Sequence, residues 1–157
     1  MPEGPRYDDD FFAWTQHQAA VLRSLPVADN RFDRENVAEE IEALGRSERD
    51  TVRSQVRRIL EHLLKLEHSP AQAPRFGWMG SIVDARAALL DRITESLRQD
   101  LREVLPRLCR SARRRAELSL KQAHEPEAAS ALPSDCPYTL DQILDDDWLP
   151  EKTEGAK

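Results

Sequence analysis

At 157 residues and 18.0 kDa the chain has the length of one ordinary domain, and with 39% hydrophobic and 33% charged residues its apolar positions must be gathered on particular faces for it to fold. The acidic opening MPEGPRYDDD has no apolar run behind it, and no later stretch approaches the roughly 18 apolar residues of a membrane span, which excludes secreted and membrane-spanning readings and predicts a cytoplasmic protein. Cys109 and Cys136 have no metal-ligand spacing and cannot make a disulfide framework, in agreement with a reducing compartment.

Ten prolines fall between periodic stretches and five glycines are too few for a sheet of tight hairpins, so the pattern predicts an all-α fold: a compact multi-helix bundle of about four main helices plus a short C-terminal helix. The first helix is expected from Asp9 to Leu25, with Phe11, Trp14, Gln18, Leu22 and Leu25 on one face and Pro26 beyond its stop. Asp33 caps a second region whose stripe, Val37, Ile41, Leu44, Val52, Ile59, Leu63 and Leu66, reaches His68, with Gly45 as the place where it bends or divides. The segment PAQAPRFGWMG reads as a connector, and Ser81 as the cap of a third helix burying Ile82, Leu89, Ile93 and Leu97, with a break near Ser96. A fourth helix, Arg98 to Ala123, buries Leu101, Leu105, Leu108, Ala112 and Ala116 and is kinked by Pro106. Thr139 and Gln142 form a capping-box pattern for a short helix that pins Trp148 and Leu149. The expected organisation is a single helical domain over 7–150 followed by a disordered tail, 151–157.

Charge is uneven. From Arg98 to Lys121 eight basic residues face three acids, a local +5 that leaves −11 for the rest of a chain of net −6. The region from Asp135 to Lys157 carries seven acids and two lysines, so the acidic C-terminal segment is the expected partner of the basic helix. Arg107, Arg110 and Arg114 fall opposite that helix's apolar stripe.

Polar residues at the centres of apolar stripes carry the functional signal, because a buried polar group needs a partner. They are Gln18, then Glu48, Gln55 and His62 at spacings of seven, and Arg86 between Ile82 and Ile93. Steps of about 10.5 Å along a continuous helix prevent Glu48, Gln55 and His62 from chelating one ion, and the charge match is Glu48 with Arg86 through two parallel hydrogen bonds. With Trp14 and Trp78 these five form the candidate buried network or pocket: Trp14, Gln18, Glu48, Gln55, His62, Trp78 and Arg86.

No metal site and no cofactor are expected. Glu39, Glu40 and Glu42 read as solvated partners of a helix dipole, and no Glu-x-x-His pair, glycine-rich phosphate loop, nucleophile elbow or Cys-x-x-Cys occurs.

The stretches YDDDFFAWTQHQ, ENVAEEIEALGRSERD, HLLKLEHSP, WMGSIVDAR and CPYTLDQILDDDWLP, in this order, resemble the bacterial family catalogued as domain of unknown function 29, over most of Tyr7 to Pro150. The resemblance implies a compact multi-helical bacterial protein and no assigned activity. Met79, where the family pattern has an arginine after the tryptophan, and Pro106 are departures from it.

The function class expected is a non-enzymatic helical protein-interaction module whose partner is another protein and whose polar network is structural. The alternative is an enzyme or small-ligand binder with a pocket lined by Trp14, Glu48, His62, Trp78 and Arg86. Nucleic-acid binding through the Arg107 to Arg115 ridge is disfavoured, because the chain is acidic and no aromatic residue interleaves with the arginines. Oligomeric state is not legible in these residues.

Overall fold

The computed structural model describes residues 4–153, which contain six helices and no strand. The helices are α1 (Phe11–Ser24), α2 (Arg34–His68), α3 (Arg75–Leu90), α4 (Glu95–Gln122), α5 (Pro126–Ser130) and α6 (Leu140–Leu144). The all-α expectation of four main helices and a short C-terminal one holds, with α5 as an added turn of helix opened by Pro126 at its first position. No described helix is long and apolar enough to cross a membrane.

Two compact units divide the described residues, the first built from 4–52 and 93–100, the second from 53–92 and 101–153. Helices α2 and α4 each contribute to both.

In the first unit Asp10 caps α1, its Oδ1 accepting from the Ala13 N–H at 3.0 Å. Tyr7, Phe11 and Trp14 form an aromatic cluster, with Tyr7 edge-on to Trp14 at 4.8 Å between centroids. Gly45 neither bends nor divides α2, which runs unbroken for 35 residues. Its role is close approach: a Cβ there would overlap Thr15 Oγ1 and crowd Gln16 Nε2, and Gln16 Nε2 donates to the Glu42 carbonyl at 3.3 Å. The expected α2 stripe holds at Val52, Ile59, Leu63 and Leu66, and is displaced by one residue only in its first part. Ala38, Gly45, Val52, Ile59 and Leu66, seven apart, are buried, while Val37 and Leu44 are exposed, because α1 comes near enough to select small side chains. Glu39 and Glu42 are not simply solvated: Arg23 meets Glu35, Glu39 and Glu42, and Arg46 also meets Glu39.

In the second unit α2 and α4 run parallel. Glu61 meets Arg115, Lys65 meets Ser119 and Ser69 meets Glu125, so contact positions rise together along both helices. Helix α3 returns antiparallel to α2, bringing Trp78 under the Lys65 ammonium, 5.3 Å from the ring centroid, and Arg75 Nη1 to the Leu66 carbonyl at 2.8 Å. It starts at Arg75, inside the segment expected to be a connector, with Pro74 rather than Ser81 at its N-cap and no side-chain cap. It ends at Leu90, so the break lies at 91–94 rather than at Ser96, with Ile93 inside the break and Leu97 in α4. Helix α4 continues through Pro106 and closes in a reversed turn: Glu125 N–H reaches Leu120 O at 2.9 Å, His124 N–H reaches Lys121 O at 3.1 Å, and His124 takes the left-handed φ of 62° usually given to glycine.

The C-terminal segment is braced from three sides. The capping box of α6 is present as expected. Tyr138 OH donates to Glu67 Oε2, the Tyr138 ring meets Trp148 edge-on at 5.5 Å, and Cys136 is disulfide-bonded to Cys109 of α4 with Cα atoms 5.4 Å apart. That bond removes the argument for a reducing compartment that the cysteines were expected to support: the return of the chain after α5 brings together positions 27 apart. Burial and the Glu67 hydrogen bond both push the Tyr138 phenol up, keeping it protonated. Of the tail expected to be disordered, residues 154–157 lie outside the described residues, while Thr153 N–H reaches Glu67 O at 2.8 Å.

Candidate functional site

Helix α4 buries Leu108, Ala112 and Ala116 on one face and turns Arg107, Arg110 and Arg114 away from it. Because α2 lies parallel to it in the second unit, Arg57 arrives opposite Ser111. Arg57, Arg107, Arg110, Ser111, Arg114 and Arg115 together line a cleft of about 360 Å³. Arg115 is neutralised by Glu61 at 3.1 Å. Arg57, Arg107, Arg110 and Arg114 make no hydrogen bond or ion pair among the described residues. Four like charges around one concavity repel one another, and the field they share is attractive to anions.

Within this stretch Arg115 meets Glu61 of α2, and Arg113 and Lys121 meet Glu117 of α4 itself, at 4.0 and 2.6 Å. In the acidic C-terminal segment, Asp145 and Asp146 lie near Arg86.

The seven candidates from the sequence fall in two units. Trp14 belongs to the aromatic cluster of the first, where Gln18 and Glu48 are half-buried and the fully buried polar residue is Thr15, bonded to the Phe12 carbonyl at 2.7 Å. Gln55, His62, Trp78 and Arg86 lie in the second. Arg86 is 4% exposed, and its Nε and Nη2 donate to the carbonyls of Ile143 at 2.9 Å and Gln142 at 3.1 Å. The fork expected to grip Glu48 thus closes the C-terminal end of α6, where unsatisfied carbonyls and the helix dipole both favour a cation. Burial lowers the Arg86 pKa, opposed by Asp146 and Asp145. Gln55 Oε1 and His62 Nδ1 are buried without hydrogen-bond partners. Burial, then the Lys65 and Arg58 charges, depress His62 to about 4 against the pull of Glu61, so the imidazole is neutral at pH 7. Sequence reasoning found Arg107, Arg110 and Arg114 but missed Arg57 and Ser111, whose membership depends on the register between α2 and α4, and missed Lys65, which is buried with its ammonium over the Trp78 ring.

The model of the family described as Domain of unknown function DUF29 matches residues 6–149. The chain belongs to this family. Among solved structures, an alpha-helical protein of unknown function from Rhodospirillum rubrum is 31% identical, with 93% of each chain covered and a TM-score of 0.80. No curated protein matches the chain. The family and its solved relative agree with the helical fold; neither name carries an activity.

Proposed function

We propose that this member of the family is a non-enzymatic binding module that receives an anionic group of its partner in the arginine cleft. The observation that carries the reading is the convergence on one concavity of Arg57, Arg107, Arg110 and Arg114, which have no partner among the described residues. Arg107, Arg110 and Arg114 are exposed and keep their donors available, whereas Arg23 and Arg86 spend theirs on partners within the fold. Chemistry also points to holding rather than conversion. A guanidinium does not release its proton near neutral pH and a lone serine hydroxyl has no base in this lining to activate it, so the cleft contains no group suited to proton transfer.

Thermal melts at low salt with a panel of polyanions test this. Binding to the folded state alone raises the midpoint by mass action. The expected result is a rise with at least one polyanion that disappears in Arg110→Gln/Arg114→Gln; no rise with any of them overturns the reading.

A further inference from the structure

We propose that the arginine cleft is a site for two adjacent phosphoryl groups, the diphosphate portion of a nucleotide or of inorganic polyphosphate. The inference rests on the anion-binding reading above and names the anion.

Three features select phosphoryl over carboxylate. Five of the six lining residues are arginines, each with five N–H donors and no acceptor, and the sixth is the hydroxyl of Ser111. A ligand that satisfies such a lining must be rich in acceptors and must not compete as a donor. A carboxylate offers two oxygens and one charge, which leaves three of the four unpaired guanidiniums uncompensated. A diphosphate presents more oxygens and more charge, and a phosphoryl oxygen set can be held by several guanidinium forks at once.

The second feature is spacing. Arg107, Arg110 and Arg114 extend about 10.5 Å along α4, with Arg57 approaching from α2. That array is longer than a single phosphoryl group and suits two linked centres. The third is size. A concavity of about 360 Å³ is of small-ligand size, and the acidic body around it opposes the approach of a long duplex. No aromatic side chain lines the cleft, so a nucleobase has nothing to stack on and recognition lies in the phosphoryl groups.

Isothermal titration of the full chain with sodium pyrophosphate at low salt is the test. Saturable 1:1 binding is expected, weakened at least about tenfold in Arg110→Gln/Arg114→Gln. It should be unchanged within about twofold in Arg31→Gln, which removes an exposed arginine of the first unit that pairs with Asp29. Equal thermal melts of the three proteins without ligand separate loss of the site from loss of the fold. ADP is expected within about threefold of pyrophosphate; a preference above about tenfold for the nucleotide overturns recognition by phosphoryl groups alone. An octaglutamate peptide that binds more tightly than pyrophosphate, and does so through Arg110 and Arg114, overturns the phosphoryl assignment while the broader reading survives. If neither pyrophosphate nor the peptide binds, both fall.

Discussion

Asp10 holds Ser96 by two hydrogen bonds across 86 residues of sequence, from the Ser96 N–H to Oδ2 at 2.9 Å and from Ser96 Oγ to Oδ1 at 2.6 Å. The same carboxylate caps α1 through Ala13 N–H, and Thr94 Oγ1 adds a fourth donor at 3.1 Å. One side chain therefore satisfies donors in the first turns of α1 and α4. Burial pushes the Asp10 carboxyl up, but the bonds from Ser96, Ala13 and Thr94 outweigh it and the net shift is downward.

Two predictions follow from that arrangement. Asp10→Ala should cost more than a single cap, roughly 2 to 3 kcal/mol in urea melts, against about 1 for an ordinary N-cap. A carboxyl depressed in the folded state contributes stability that is complete above its unfolded value near 3.9 and is lost as the pH falls through the folded value. The difference between wild type and Asp10→Ala should thus shrink only in strong acid; a difference already gone at pH 5 would show that the carboxylate is not what Ser96 needs.

Arg86 makes a second case. Arg86→Ala leaves the carbonyls of Gln142 and Ile143 without their donor inside the second unit, and is expected to cost roughly 2 to 4 kcal/mol. Glu48, half-buried and in the other unit, should cost under about 1 kcal/mol when changed to alanine. Arg86→Lys should not restore stability, because a single ammonium cannot reproduce the two-pronged grip. Equal losses for Glu48→Ala and Arg86→Ala in denaturant melts would return the two to a shared pair.

His62 sets a pH window. Its folded value of about 4 lies below the ordinary 6.5, so the unfolded chain binds the extra proton first and stability falls as the pH drops from about 6.5 to 4, by roughly 1 to 2 kcal/mol once solvent screening of the half-buried ring is allowed for. Since Nδ1 is buried with no partner, His62→Leu should be tolerated and should flatten that window. Parallel pH dependences of the two proteins between pH 4 and 6.5 would refute the assignment.

The Cys109–Cys136 bond closes a loop 27 residues apart, which by chain entropy stabilises by roughly 3 to 4 kcal/mol. Urea midpoints with and without reductant should differ accordingly in the wild type and coincide in Cys136→Ser. A wild-type midpoint indifferent to reductant contradicts the pairing.

What was legible in the sequence was local. Thr139 and Gln142 announce the start of α6 because a capping box is complete within four residues, and Pro70 and Pro74 mark the end of α2 because proline cannot continue it. The start of α3 was hidden, since Pro74 opens it without a capping side chain. The period placed Val52, Ile59, Leu63 and Leu66 in the core, but the start of the α2 stripe was misplaced by one residue because Ala38 and Gly45 face inward on account of α1, a fact no helical wheel contains. The same holds for the cleft. Arg107, Arg110 and Arg114 follow from the period of α4, whereas Arg57 joins them through the parallel alignment of α2 and α4 seen in Glu61–Arg115 and Lys65–Ser119. Cys136 reaches Cys109 only once α5 has turned the chain back.

The most direct test of the arginine cleft is a nuclear magnetic resonance titration that follows the arginine Nε–Hε signals of the labelled protein as pyrophosphate is added at low salt. The account predicts that the signals of Arg57, Arg107, Arg110 and Arg114 move together and saturate, while those of Arg31 in the first unit and Arg86 beside α6 stay in place. Uniform small movements across all arginines, or none at the four, would contradict it.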